Sequence, residues 1–338
     1  MQAVQLVAQR VLESRTIEDP SDPGPGEITV KLQAVGICGS DLHWYLDGGV
    51  GHTRAIYPII LGHEPVGIVV ATGPGVISHK TGQRVSIEPS ITCGHCEYCL
   101  ASRPNNCVHS VFMGGIHHPG FYREYATVPA RNADLVPEEF SLEQAALIEP
   151  AAVLSHVMEL CTIPLGATVA VLGCGPIGLL AITFARLAGA SRVIALDRVP
   201  HRLAMAAKAG ATETASTIEA VLDATGGRGA DITLDAAGCP ETIQLAIDCT
   251  RPSGQFVLIG LPSETKFCID IHTAMMKELR IQTIKRSNHR GAHAIELLRA
   301  NRIPDFFITH RFPLEKTPDA FEVLANYRDN VGKVLIEM

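Results

Sequence analysis

TVAVLGCGPIGLLAITFARLAGASRVIALD, residues 168–197, decides the architecture of the second half of the chain. It opens on a short apolar run of strand character, turns through Gly173, Gly175 and Gly178 in the order GxGxxG, and continues as an apolar helix. Each glycine meets a separate steric demand, in turn a tight turn, close approach of the backbone to a pyrophosphate, and close helix-to-strand contact. A helix starting near Pro176 and Ile177 aims its free N–H groups and the positive end of its dipole at the phosphates. A second strand candidate, RVIAL, ends in Asp197, 19 residues past Gly178, close to the spacing a dinucleotide site requires. A carboxylate there accepts hydrogen bonds from ribose hydroxyls and repels a 2′-phosphate, so Asp197 favours NAD over NADP. Arg198, next in the chain, softens that preference, and the plain alternative is that Asp197 is only a turn residue at a strand end.

Further along, DITLDAAG and GQFVLIG are two more apolar strand candidates, and Ala-rich helical patterns fill the first intervals. Strands and helices in alternation predict a parallel sheet covered on both faces. The N-terminal half differs in texture. From Gln2 to about Pro150 it is rich in Gly and Pro, with short β-like runs at 28–35, 67–71 and 84–87 between turn signals such as DPGPGE. From about Lys285 a helical segment (AHAIELLRAN), a strand-like FITHRF, a second helical pattern (DAFEVLANY) and a strand-like KVLIEM follow. Spacing alone leaves open where this tail packs.

A chain of 338 residues is too long for one small domain, which predicts two. Its net charge of −7 and lack of any dense Lys/Arg run exclude a nucleic-acid groove, which needs a basic stripe. No stretch approaches the roughly 18 apolar residues of a membrane helix. The start, MQAVQLVAQR, lacks the charged head and apolar run of a signal peptide. The expectation is a cytoplasmic protein whose partner is a small molecule, not a membrane.

Ten cysteines are unsuited to a disulfide set in so large a cytoplasmic chain. Cys93, Cys96, Cys99 and Cys107 lie in one polar loop at CxxCxxCx7C, where four thiolates close a tetrahedral shell around zinc; with every position filled by protein, the site is structural. A second set is dispersed: Cys38 in GICGSD, His63 in LGHEP and Glu149 in LIEP. None is compelling alone, since a single His is more often an ordinary core or surface residue. Chemistry joins them, because hydride transfer with no other electrophile needs a Lewis acid, and three ligands with an open fourth position supply one. Cys161, Cys174, Cys239, Cys249 and Cys268 read as small core fillers.

GICGSDLH (36–43), LGHEPVG (61–67), the four-cysteine loop, LIEP and VLGCGPIG with the strand ending in Asp197 follow one another in the order of the medium-chain zinc alcohol dehydrogenases. The chain resembles that family along essentially its whole length, and most closely its sorbitol and polyol dehydrogenase branch, a likeness that extends to HRFPLEK at 310–316. The resemblance implies an α/β protein. Residues 1–150, completed by 285–338, form a GroES-like, mainly β catalytic domain; residues 151–284 form a Rossmann-type, doubly wound parallel-sheet domain. It also implies one catalytic and one structural zinc, NAD as cofactor, and an alcohol or polyol as substrate.

In that branch the third catalytic ligand is a glutamate, here Glu149, with Glu64 as the alternative or exchanging ligand. Animal members have lost part of the structural-zinc cysteine set; this chain keeps all four, as a microbial relative would. The resemblance further implies a proton path from the zinc-bound alcohol through Ser40 and a ribose hydroxyl to His43. Arg202 matches a residue at the adenosine ribose, Gly260 and Leu261 match the strand end facing the nicotinamide, and Arg286 matches a position near polyol hydroxyls. Trp44 and Tyr45 either line the pocket entrance or pack in the core. Many family members are dimers or tetramers joined through their Rossmann domains. Two alternatives stand beside this assignment: an L-threonine 3-dehydrogenase with the same zinc and NAD chemistry, and a non-catalytic or zinc-less NADPH-binding relative. Cys38, His63, Glu149 and Asp197 argue against the second.

Overall fold

The structure, a computed structural model, describes residues 1–262 and 264–338. The chain divides into two compact units, one formed by Met1–Ala152, Ser287–Ala300 and Ile308–Met338, the other by Val153–Arg286 and Asn301–Phe307.

In the second unit six strands lie parallel in the spatial order Glu213–Ala215, Arg192–Leu196, Thr168–Leu172, Ala230–Asp235, Thr250–Leu258 and Arg280–Thr283. The third, second, first, fourth, fifth and sixth strands of the unit thus stand side by side, the order of a doubly wound dinucleotide-binding sheet. Residues 169–172 and 193–196 are buried along their whole length, as apolar runs in a covered parallel sheet must be. The direction of winding reverses between Thr168–Leu172 and Ala230–Asp235, and ligands bind at the carboxyl ends of strands at such a point.

The turn leaving Thr168–Leu172 explains two glycines. Gly173 has φ +85°, and a Cβ there would stand 2.9 Å from the Ala237 side chain. A Cβ on Gly178 would strike the Gly173 carbonyl oxygen, backbone against backbone. The helix Pro176–Leu187 starts where the sequence predicts, with Pro at its first turn, and buries residues 178–185 without a break.

The first unit is built around the long strand Glu27–Gly36. It pairs antiparallel with Tyr125–Pro129, with Glu64–Thr72 and with the C-terminal strand Lys333–Glu337. Arg84–Ile87 and Ala133–Leu135 extend the sheet on one side, and Ile308–Pro313, parallel to the last strand, extends it on the other. Register shifts between Thr29 and Val30 and between Leu32 and Ala34 bend the central strand over a core that includes Leu61, Phe121, Tyr122 and Phe321.

The structure departs from the sequence expectations at two places and decides between two readings at a third. Residues 301–307, assigned to the tail, group with the second unit, where Ile303 and Phe307 are buried. Cys268 is exposed and Cys239 half-buried, so of these five only Cys161, Cys174 and Cys249 are core thiols; Phe267 and Ile269, on either side of Cys268, pack against the core and leave the residue between them facing outward. Trp44 and Tyr45 belong to the core: Tyr45 packs 5.1 Å from Phe321 and donates its hydroxyl to Glu322 Oε1 at 2.7 Å.

The crowding at Gly178 predicts that Gly178→Ala destabilises the fold by about 1–3 kcal/mol, the range for overpacking a tight contact. Gly175→Ala should leave stability unchanged, since a Cβ there meets nothing within 4 Å. Urea unfolding checks both, and equal stabilities would remove the steric account.

Candidate active site and metal centres

Cys38 occupies the N-cap of the helix Gly39–Asp47, and its backbone N–H donates to Asp41 Oδ2 at 3.0 Å, closing the first turn. The same carboxylate reaches a second segment, accepting from the Gly62 N–H through Oδ1 at 3.2 Å. His63 follows Gly62, and its Nδ1 stands 3.3 Å from Asp41 Oδ1, off-line for a hydrogen bond but close enough for charge attraction. With Nδ1 turned to Asp41, Nε2 faces Ser40, whose Oγ is 3.5 Å away. His43, one turn further along the helix, has its Nδ1 2.8 Å from Asp47 Oδ2.

Glu64 opens the next strand, and its carboxylate forms a buried ion pair with Lys333, which opens the last strand. Lys333 Nζ also donates to the Ile37 carbonyl at 3.0 Å. Donor atoms of Cys38, His63 and Glu64 lie within 4.8 Å of one another, a set of one thiol, one imidazole and one carboxylate that suits a zinc ion with its fourth position open. Glu149, expected as the third donor, lies outside that group. It stands in the first turn of the helix Ile148–Leu160, and the geometry gathers Glu64 because that residue adjoins His63 in the chain.

The electrostatics suit a cation. Burial opposes charge on His63, yet Asp41 and Cys38 beside it hold its pKa well above the ordinary value. Burial works against Asp41 too, but His63 and the Cys38 and Gly62 N–H groups keep its carboxyl below the usual range. Burial pushes the Glu149 carboxyl up to about 8; His63 draws it back down while Glu64 and Glu88 add to the rise. Cys38, Asp41, Glu64 and Glu149 thus stand around two cationic groups, the His63 imidazole and the Lys333 ammonium, and a dication can be held among them.

The four thiols of the loop converge as predicted. Sγ–Sγ separations are 3.9 Å for Cys93–Cys99, 3.5 Å for Cys96–Cys99 and 3.5 Å for Cys93–Cys107, and all four are free. Tetrahedral zinc with sulfurs about 2.3 Å away needs them about 3.8 Å apart, so the cluster fits the ion. The N–H groups of Cys93 and Cys96 point at Sγ of Cys107 and Cys93, each at 3.4 Å, which favours thiolates. Backbone N–H groups of Cys99 and Val108 lower the Cys96 thiol to about 6.

In the second unit Asp197 is buried, accepting from the Cys174 N–H at 2.7 Å and the Val199 N–H at 2.8 Å. It thereby locks the glycine turn to the end of the neighbouring strand and keeps lone pairs for a diol. Arg202 Nη1 stands 4.0 Å from Asp197, while Arg198 is exposed. Open space over Gly175 leaves room for a phosphate to approach the backbone. Gly260 packs against the Gly238 backbone, and Leu261 beside it is exposed. Arg286 is half-buried with φ +60° at the end of this unit.

Four residues of the first site escaped the sequence reading. Asp41 carried a local signal, an acid three residues after an N-cap. Lys333, Tyr122 and Phe112, whose ring centroid is 5.2 Å from that of His63, arrive from distant segments and carried none.

Comparison with known proteins agrees with this geometry. The alcohol dehydrogenase GroES-like domain matches residues 24–138 and the zinc-binding dehydrogenase family matches residues 176–300. Sorbitol dehydrogenase of Bacillus subtilis is 34% identical over 99% of this chain and 97% of its own length. L-threonine 3-dehydrogenase of the same organism is 35% identical over 92% and 90%. A short chain alcohol dehydrogenase of Escherichia coli CFT073, solved with NADH, superposes with TM-score 0.89 at 31% identity, covering 100% of this chain and 99% of that one. The chain therefore belongs to the medium-chain zinc alcohol dehydrogenase family, on its polyol dehydrogenase-like branch.

Proposed function

We propose that the protein oxidises a secondary hydroxyl of a polyol such as sorbitol, xylitol or galactitol and delivers the hydride to NAD. The observation that carries this is the convergence of Cys38, His63 and Glu64, with Asp41 set behind the imidazole. Zinc held there supplies a Lewis acid that brings a hydroxyl into the neutral titration range. Ser40 Oγ, beside His63, would take the substrate proton while passing its own through a ribose hydroxyl to His43. His43, its Nδ1 held by Asp47, keeps Nε2 for passing a proton to solvent. Glu64 takes the third ligand position, and Glu149 is the residue able to replace it. The guanidinium of Arg286 offers several donors to substrate hydroxyls.

The GxGxxG turn with Pro176 and Ile177 receives the pyrophosphate. Asp197 receives the adenosine ribose with help from Arg202 and excludes a 2′-phosphate against the pull of Arg198, while Gly260 and Leu261 flank the nicotinamide. Cys93, Cys96, Cys99 and Cys107 hold a second, structural zinc. Ten unbonded cysteines suit the reducing cytoplasm, and among the described residues no helix is long and apolar enough to cross a membrane. The similarity to L-threonine 3-dehydrogenase supports a second substrate, L-threonine, handled by the same site.

Three experiments test this assignment. Purified zinc-replete protein, offered sorbitol, xylitol, galactitol, ribitol, simple alcohols and L-threonine with NAD or NADP, should reduce NAD with a polyol. A signal with threonine alone moves the substrate, one with NADP alone overturns the role of Asp197, and silence across the panel sinks the assignment. Elemental analysis should find two zinc ions per chain. Cys38→Ser should lose one of them together with turnover while NAD still binds; Cys99→Ala should lose the other and melt at lower temperature. Two zinc ions in either variant would remove that cysteine from its site. The edge strand Arg280–Thr283 exposes Ile281, and the helix Ile271–Met276 exposes Ile271, Met275 and Met276. This apolar edge makes a homodimer or homotetramer the expected state, and sedimentation as a monomer at micromolar concentration would rule it out.

A further inference from the structure

Asp41 is fully buried and has three hydrogen-bond donors and one imidazole nitrogen around it, two of these groups at each oxygen. The Gly62 N–H and His63 Nδ1 face Oδ1; the Cys38 N–H and the Tyr122 hydroxyl face Oδ2, the last at 3.1 Å. The two backbone donors belong to a proposed ligand or its immediate neighbour. Tyr122 comes from elsewhere in the chain and has no contact of its own with Cys38, His63 or Glu64 among its hydrogen bonds.

Its ring already has a packing role. Tyr122 is fully buried and meets Phe321 edge-on at 6.0 Å and 88°. Phenylalanine would fill that space equally well, so the ring does not account for the hydroxyl. A buried phenol needs a partner, and burial together with Asp41 raises its pKa well above the ordinary value, which keeps the proton available for donation.

We propose that Tyr122 is a positioning residue for the catalytic metal centre: by anchoring Asp41 Oδ2 it stops the carboxylate rotating about its Cβ–Cγ bond and so keeps Oδ1 opposite His63 Nδ1. This rests on the reading of Cys38, His63 and Glu64 as a zinc site. The physical consequence is a fixed tautomer and ring orientation, with Nδ1–H toward Asp41 and Nε2 toward the metal. Partners of this kind typically change metal affinity by about 10–100-fold. Tyr122 lies one step further out and leaves Oδ2 the Cys38 N–H, which places its effect near the lower end.

The test is Tyr122→Phe, read by zinc titration against a competing chelator and by the visible spectrum of the Co2+-substituted protein. The zinc equivalent that Cys38→Ser lacks identifies the site. Its dissociation constant should rise about tenfold and the Co2+ bands should shift, while the metal-free variant stays folded, melting somewhat lower because Asp41 has lost one donor, and binds NAD as before. In an Asp41→Asn background the same substitution should add no further loss, because Tyr122 acts through Asp41. Parental zinc affinity with an unchanged Co2+ spectrum overturns the proposal and leaves the zinc site standing, as does a loss that adds fully to that of Asp41→Asn. A parental protein that binds no zinc at Cys38 overturns the site and this inference together.

Discussion

One buried carboxylate organises the first unit. Asp41 joins the start of the helix Gly39–Asp47 to the segment that carries Gly62 and His63, and through Tyr122 to a third stretch of chain. A carboxylate is stable in such a place only while its lone pairs stay occupied, because an unpaired buried charge is among the most destabilising defects a fold can carry. The three hydrogen-bond donors and the imidazole around Asp41 therefore serve the fold as well as the site. Removing them exposes the charge to a medium that cannot solvate it, and the two segments bearing Cys38 and His63 lose their common anchor.

A second buried pair repeats the pattern. Glu64 and Lys333 meet out of water, with Lys333 also held by the Ile37 carbonyl. The carboxylate that completes the donor set is thus already compensated by a cation before any metal arrives, which tempers how strongly it donates to one. Buried ion pairs of this kind contribute little net stability, but losing one partner costs about 3–5 kcal/mol. They suit a site that has to hold charge in a fixed place more than one that has to be strong.

The sequence made legible whatever depends on neighbours in the chain. The GxGxxG turn, the alternation of apolar strands with helices and the spacing of four cysteines are local patterns, and the second unit and the thiol cluster follow from them. What depends on distant pairing was hidden. Glu149 and Glu64 were both readable as a third donor, from LIEP and from the residue beside His63, but that Glu64 gathers with Cys38 and His63 depends on the folded chain. Asp41 was readable only as a cap, and nothing around Tyr122 or Lys333 announced a connection to the site. Trp44 and Tyr45 could not be divided between pocket and core until Phe321 and Glu322 arrived from the far end of the chain.

The C-terminal strand has a consequence for how the molecule is made. Lys333 and Ile37, joined by a hydrogen bond, lie 296 positions apart, and Lys333–Glu337 pairs with the same strand that leads into Cys38. During synthesis the six-stranded unit, its strands all encoded between Thr168 and Thr283, emerges complete while the sheet encoded first is still missing its last members. Domains fold as units as they leave the ribosome, so the first unit, although begun earlier, is completed after the second. Until the strand Lys333–Glu337 has been made, Glu64 lacks the Lys333 ammonium, and the nascent chain carries the six-stranded sheet while the surroundings of Cys38, His63 and Glu64 are still incomplete.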